Sequence, residues 1–136
     1  PGGALGRRLL THVRDVMHTK ATLPCVTPES TLAEAVLAIS RGSLGMTVVC
    51  DPQDRVLGIF TDGDLRRAFG KQLDLQRVTV SEVMTTGPKT IGADRLAVEA
   101  VALMEKHRIN QLIVTDASGV LEGALNMHDL FRAKVV

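Results

Sequence analysis

Apolar residues at Leu32, Ala35, Val36 and Ile39 recur at the three-and-four spacing of one helix face, which predicts a helix opening at Thr31. Thr31-Leu32-Ala33-Glu34 has the capping-box form, in which hydroxyl and carboxylate satisfy free backbone donors reciprocally. Gly42 is expected to close this helix in a left-handed cap. An extended piece, Leu23 to Thr27, precedes it. Two β-rich runs follow, Thr47 to Cys50 and Val56 to Phe60, separated by the turn Asp51-Pro52-Gln53-Asp54, and they read as a hairpin. A second helix begins near Asp62. The same order then returns. Pro88 to Ile91 is extended, and Ala97, Ala100, Val101 and Met104 form a helix face that ends at Lys106, His107 and Arg108, cations suited to its negative end. Leu112 to Thr115 and Val120 to Leu125 flank Asp116-Ala117-Ser118-Gly119, and a last helix starts near Met127. Each copy is β-α-β-β-α, an α+β unit in which a small sheet packs with two helices.

The repetition extends to residue identity. The stretch from Val56 to Ala68 returns as Leu121 to Ala133, with Gly58 and Asp64 reappearing 65 positions on as Gly123 and Asp129. Val13-Arg14-Asp15-Val16-Met17 is echoed at an offset of 67 by Val80-Ser81-Glu82-Val83-Met84. A copy of this size buries too little surface to stand well alone, so two copies are expected to share stability. Residues 13–75 and 76–136 are taken as the two copies, with 1–12 as a linker. Gly58 and Gly123 lie inside strands, where glycine marks a bulge or a close backbone approach.

Charge and composition narrow the function. Sixteen Lys and Arg stand against 15 acidic residues in 136, a net charge of +1, and Trp and Tyr are absent. No basic field or stacking platform exists for nucleic acid. No apolar run reaches membrane-span length, and the opening carries no signal-peptide pattern. Cys25 and Cys50, matched by Lys89 and Thr115 in the second copy, read as two buried reduced thiols and point to the cytoplasm, with a disulfide or a metal pair as the alternative. His12, His18, His107 and His128 lack metal-ligand spacing, and no catalytic arrangement is legible. Pro1-Gly2-Gly3-Ala4-Leu5-Gly6 lacks the Gly-Lys-Ser/Thr ending of a phosphate loop and reads as linker. Without an initial methionine, the chain is expected to be a piece of a longer polypeptide.

The Val-Met openings, capped helices, hairpins and Gly-x-x-Thr-x-x-Asp-Leu close together resemble a tandem pair of cystathionine-β-synthase (CBS) motifs over about residues 13–135. That resemblance implies a pseudo-twofold module with two clefts that bind adenosine-containing nucleotides. The opening Pro1 to Leu10, together with Phe60-Thr61-Asp62-Gly63-Asp64-Leu65-Arg66-Arg67, further resembles the D-arabinose 5-phosphate isomerases. Those carry an upstream sugar-isomerase domain and interconvert ribulose 5-phosphate and arabinose 5-phosphate for Kdo and lipopolysaccharide synthesis. It implies a regulatory fragment that is not itself an enzyme and requires no cofactor. Its partners would be the isomerase domain, a nucleotide-like effector (AMP, ADP, ATP or the end product CMP-Kdo) and further copies of itself, as a homodimer or higher homo-oligomer.

By the same resemblance Thr61 and Asp64 are expected to contact ribose, with Asn126 and Asp129 in the second copy. Arg108, Asn110 and Gln111 would line a cleft where the first copy has Ser43, Gly45 and Met46. Arg66 and Arg67 are in reach of a phosphate as charge-assisted donors. A plainer reading stands beside this: Thr61-x-x-Asp64 is an ordinary capping signature, Asn126 a good N-cap, and the arginines solvated. A ligand-free oligomerisation module is the alternative function.

Overall fold

A computed structural model describes residues 3–136; the Pro1-Gly2 part of the expected linker lies outside the described residues. In chain order the elements are α1 (Gly3–Leu10), α2 (Val13–Val16), β1 (His18–Thr19), β2 (Cys25–Val26), α3 (Leu32–Arg41), β3 (Met46–Cys50), β4 (Val56–Thr61), α4 (Asp62–Gly70), β5 (Thr85–Thr86), β6 (Thr90–Ile91), α5 (Ala97–His107), β7 (Gln111–Thr115), β8 (Leu121–Asn126) and α6 (Met127–Arg132). Short 3₁₀ turns occupy Lys20–Thr22 and Val80–Glu82. The expected α+β repeat is present, and part of the segment read as linker is helical.

The chain divides into two compact units, one made by the segment ending at Lys20 together with Lys89–Val136, the other by Ala21–Pro88. In the Ala21–Pro88 unit the strand order is β2-β3-β4-β5. Strands β2 and β3 are parallel, joined through α3 as parallel neighbours require, and β3, β4 and β5 run antiparallel in turn. The other unit repeats this as β6-β7-β8-β1, with β6 and β7 parallel and the rest antiparallel. Both hairpins carry one extra residue on the second strand, beside Val49/Cys50 and Val114/Thr115.

Each unit therefore takes its fourth strand from the Val-Met segment of the other sequence copy. Val13 N–H donates to Arg95 O at 2.8 Å and Ala97 N–H to Thr11 O at 2.7 Å; Val80 N–H donates to Ser30 O at 2.7 Å and Leu32 N–H to Val78 O at 3.0 Å. The same wiring serves both. It fixes Val13 in a core with Ala97, Ala100, Met104, Leu112, Val114, Leu125 and Leu130. Val80 joins Leu32, Ala35, Val49, Phe60 and Ala68.

The strand glycines answer to close approach. A Cβ on Gly58 would stand 2.7 Å from the Thr85 carbonyl oxygen and 2.8 Å from Met84 Sδ; on Gly123 it would meet the His18 carbonyl oxygen and Met17 Sδ. The Gly42 expectation is corrected. Gly42 ends α3 in extended backbone (φ −104°, ψ 176°), and a Cβ there would lie 2.9 Å from the Pro24 ring. The left-handed cap instead closes α5, at Arg108 (φ 54°). Cys25 is exposed, against the expectation of two buried thiols; Cys50 is buried. Strand register also replaces Lys89 by Thr90 as the counterpart of Cys25, since Cys25 stands opposite Val48 and Thr90 opposite Ile113.

Candidate functional site

In the Ala21–Pro88 unit, β4 runs directly into α4, and Thr61 is the N-cap at that junction. Its Oγ1 accepts from Asp64 N–H at 3.2 Å, while Asp64 Oδ2 accepts from Thr61 N–H at 2.9 Å and from the Thr61 hydroxyl at 3.1 Å. A guanidinium N–H of Arg67 donates to Asp64 Oδ1 at 2.5 Å, and the Thr85 hydroxyl donates to the same oxygen at 3.1 Å. Asp64 is buried, whereas Arg67 is about two thirds exposed. Gly45 brings its carbonyl to the same helix start, accepting from Asp62 N–H at 3.1 Å.

The other unit builds a matching centre from β8, α6 and β1. Asn126 caps α6, its Oδ1 accepting from Asp129 N–H at 2.8 Å, and Asp129 Oδ2 accepts from Asn126 N–H at 2.9 Å. Arg132 donates to Asp129 Oδ1 at 2.6 Å, and His18 Nε2 lies 2.9 Å from that oxygen. Gln111 faces Asn126 across β7 and β8, and the Asn110 carbonyl accepts from Met127 N–H at 3.0 Å, so both join this centre. Arg108 and Arg66 are exposed, and neither has a side-chain hydrogen bond or ion pair among the described residues. Those two remain outside the centres.

Burial works against the Asp129 carboxylate, but the Asn126 backbone, His18 and Arg132 outweigh it and hold its pKa below the usual value. A depressed folded-state pKa contributes stability above the ordinary carboxylate range that is lost as pH falls through the folded value. Acidification from about pH 7 to about pH 3 is therefore expected to weaken this unit, and Asp129→Asn to flatten that part of the profile. Urea midpoints at the two pH values check this; equal acid losses in parent and variant would refute it.

Sequence reasoning missed three members, His18, Thr85 and Arg132. The repeat offsets carried the signal. An offset of 65 from Arg67 reaches Arg132, and the Val-Met offset of 67 pairs His18 with Thr85. Capping, the plainer reading, is present at both centres. Each buried carboxylate nevertheless gathers more donors than a cap requires, including one arginine tethered at its tip. A carboxylate offers about four lone-pair sites. Asp129 has three filled by the protein, while Asp64 is fully engaged, its contacts including the exposed Arg67.

The repeated sheet-and-helix units with a capped Asp centre define a CBS pair. The CBS domain family matches residues 13–71 and 80–136, and the chain belongs to that family. Over 136 residues it is 52% identical to the arabinose 5-phosphate isomerase KdsD of Pseudomonas aeruginosa, with 100% of this chain and 42% of that one covered. It is 48% identical to the KdsD of Yersinia pestis, again with 100% of this chain covered, against 41% of that one. The chain thus spans about two fifths of the length of these curated relatives. Among solved structures, CBSX2 in complex with AMP aligns with a TM-score of 0.80 at 24% identity, covering 90% of this chain and 95% of that one. No helix among the described residues is long and apolar enough to cross a membrane.

Proposed function

We propose that this chain is the ligand-sensing CBS pair of an arabinose 5-phosphate isomerase and biases that enzyme by binding a nucleotide. The observation that carries the reading is the pair of buried carboxylates, Asp64 and Asp129, each at a helix start and each bonded to a largely exposed arginine. A ribose diol donates to the carboxylate, using the open site on Asp129 or displacing Arg67 from Asp64. The released guanidinium, anchored only by its own side chain, then follows the phosphate as a charge-assisted donor. Identity near 50% to isomerases named KdsD supports the parent activity, and the AMP complex of CBSX2 supports the ligand class. CMP-Kdo suits the same chemistry, with a ribose and anionic groups, and as the activated end product would give feedback. An effector acts only through different affinities for two states of the enzyme.

Thermal unfolding against AMP, ADP, ATP, CMP and CMP-Kdo tests the proposal. A ligand at about one hundred times its Kd adds about 2.7 kcal/mol to the folded state. The stabilisation is expected to vanish in Asp64→Ala or in Asp129→Ala, whichever centre is occupied. No shift with any nucleotide, in a folded chain, favours the second reading: an assembly module. Exposed Leu37 (56%), Phe69 (61%) and Phe131 (66%) on α3, α4 and α6 favour that reading. A concentration-independent monomer in sedimentation would argue against it.

A further inference from the structure

The unit that holds Asp129 carries a second cleft, at the far end of the same sheet. Gln111 pairs with Asn126 at the Asp129 end of β7, and Thr115 pairs with Leu121 at the other end. The strand between them spans about 13 Å. The cleft at the Thr115 end, of about 1120 Å³, runs between the edge strand β6 and one flank of α5. Glu99, Ala102, Leu103 and Lys106 supply that flank at helical spacing, while Ala97, Ala100 and Met104 face the core. A space of this order accommodates a small molecule.

Thr115 marks the cleft as more than a surface fold. Its side chain lines the space, the residue is only 9% exposed, and its hydroxyl has no partner among the described residues. No polar side-chain atom of those residues is sealed away unpaired, so the Thr115 hydroxyl opens onto the cleft. Thr47, likewise buried, instead donates to the Pro24 carbonyl at 2.9 Å. Buried hydroxyls are ordinarily paired, and that of Thr115 is left for whatever enters. Ion pairing around it is also incomplete. Arg95 is shared by Glu99 and Asp94. Arg14, Lys106 and Glu122 line the cleft with no side-chain hydrogen bond or ion pair among the described residues. The fold alone does not demand these groups. At the repeat offsets the other copy has Ser81 for Arg14, Cys50 for Thr115 and Leu57 for Glu122.

We propose that this cleft binds a small phosphorylated sugar, at a place separate from the nucleotide centres. Such a ligand joins the two chemistries for which the lining holds unspent partners. Its hydroxyls donate to the Glu122 carboxylate and bond the Thr115 hydroxyl. Its phosphate meets the cations Arg14 and Lys106, which are charge-assisted donors. Lys106 lies two turns of α5 beyond Glu99, about 10 Å, and Ala102 and Leu103 between them give the carbon chain an apolar wall. Trp and Tyr are absent from the chain, so orientation rests on the polar contacts. The proposal rests on the parent-isomerase reading only for its probe, D-arabinose 5-phosphate.

The experiment titrates the native chain calorimetrically with D-arabinose 5-phosphate, D-arabinose, inorganic phosphate and AMP, and locates each by amide NMR shifts. The sugar phosphate is expected to shift the amides of residues 90–95 and 115–117, to leave those of 126–129 in place, and to bind equally well in saturating AMP. D-Arabinose and inorganic phosphate should each bind about tenfold more weakly or worse, since each loses one set of contacts. Lys106→Gln should weaken the sugar phosphate about tenfold, and Thr115→Val, which keeps the shape, several-fold. No binding of the sugar phosphate overturns the proposal, as does unchanged affinity in both variants. So does inorganic phosphate binding as tightly, which would mean an anion site only, or shifts confined to 126–129 with AMP competing. Failure of AMP to bind would sink the nucleotide reading and leave this one standing. Unfolding midpoints establish that each variant is folded when assayed.

Discussion

Phe60→Ala is expected to cost about 3–5 kcal/mol, the range for emptying a fully buried aromatic site. Phe60 has no exposed surface and is among the largest fully buried side chains. It lies on β4 opposite Thr47 and packs in the cluster with Leu32, Ala35, Val49, Ala68 and Val80. Those neighbours come from α3, β3, α4 and the Val-Met segment, so the cavity would loosen each element that frames the Asp64 centre. Phe60 also directly precedes the Thr61 cap. Phe60→Leu keeps most of the volume and is expected to cost under about 1.5 kcal/mol if the core repacks. Urea unfolding at neutral pH measures both. A Phe60→Ala midpoint matching the Leu variant would mean that the cavity collapses and that Phe60 is not the keystone of this unit.

The second large effect falls on a residue with no side chain. Gly123→Ala is expected to destabilise by about 3 kcal/mol, on the order of 10 °C in melting temperature for a chain of this size. The new methyl would press on the His18 carbonyl oxygen, a backbone atom in β1, as well as on Met17 Sδ. Methionine can swing away; a paired strand cannot. Relief therefore requires β1 to leave β8, which also withdraws His18 from Asp129. Adding Met17→Ala should not rescue the variant, because the carbonyl remains. Gly70→Ala provides the control: nothing lies within 4 Å of its added Cβ, and alanine in a helix is favoured over glycine by about 1 kcal/mol. If Gly123→Ala melts with the parent, the close approach of β1 is not what the glycine serves.

The elements themselves were legible because their causes are local. The helix face of Leu32, Ala35 and Ile39, the Thr31 capping box and both turn-bounded hairpins depend on residues within a few positions of one another. So do the caps Thr61 and Asn126, which bond Asp64 and Asp129 three residues on. The repeat exposed both centres for the same reason. What it did not expose was the wiring between distant segments. The Val-Met segment that begins one copy completes the other unit, and this is how His18 reaches Asp129 across 111 positions of chain. The Cys25 counterpart depended likewise on strand register, which a one-residue difference in alignment obscures. Gly42 failed as a left-handed cap because the obstacle it avoids, Pro24, belongs to another segment.

The amino-acid order alone thus determined the elements, their duplication and the two capped carboxylates, since hydrogen bonds and apolar faces a few residues apart dictate them. The tertiary structure decided which strand completes each sheet, which donors surround each carboxylate and which thiol faces water. Those outcomes depend on backbone pairing and close packing between segments far apart in the chain, and no local periodicity encodes them.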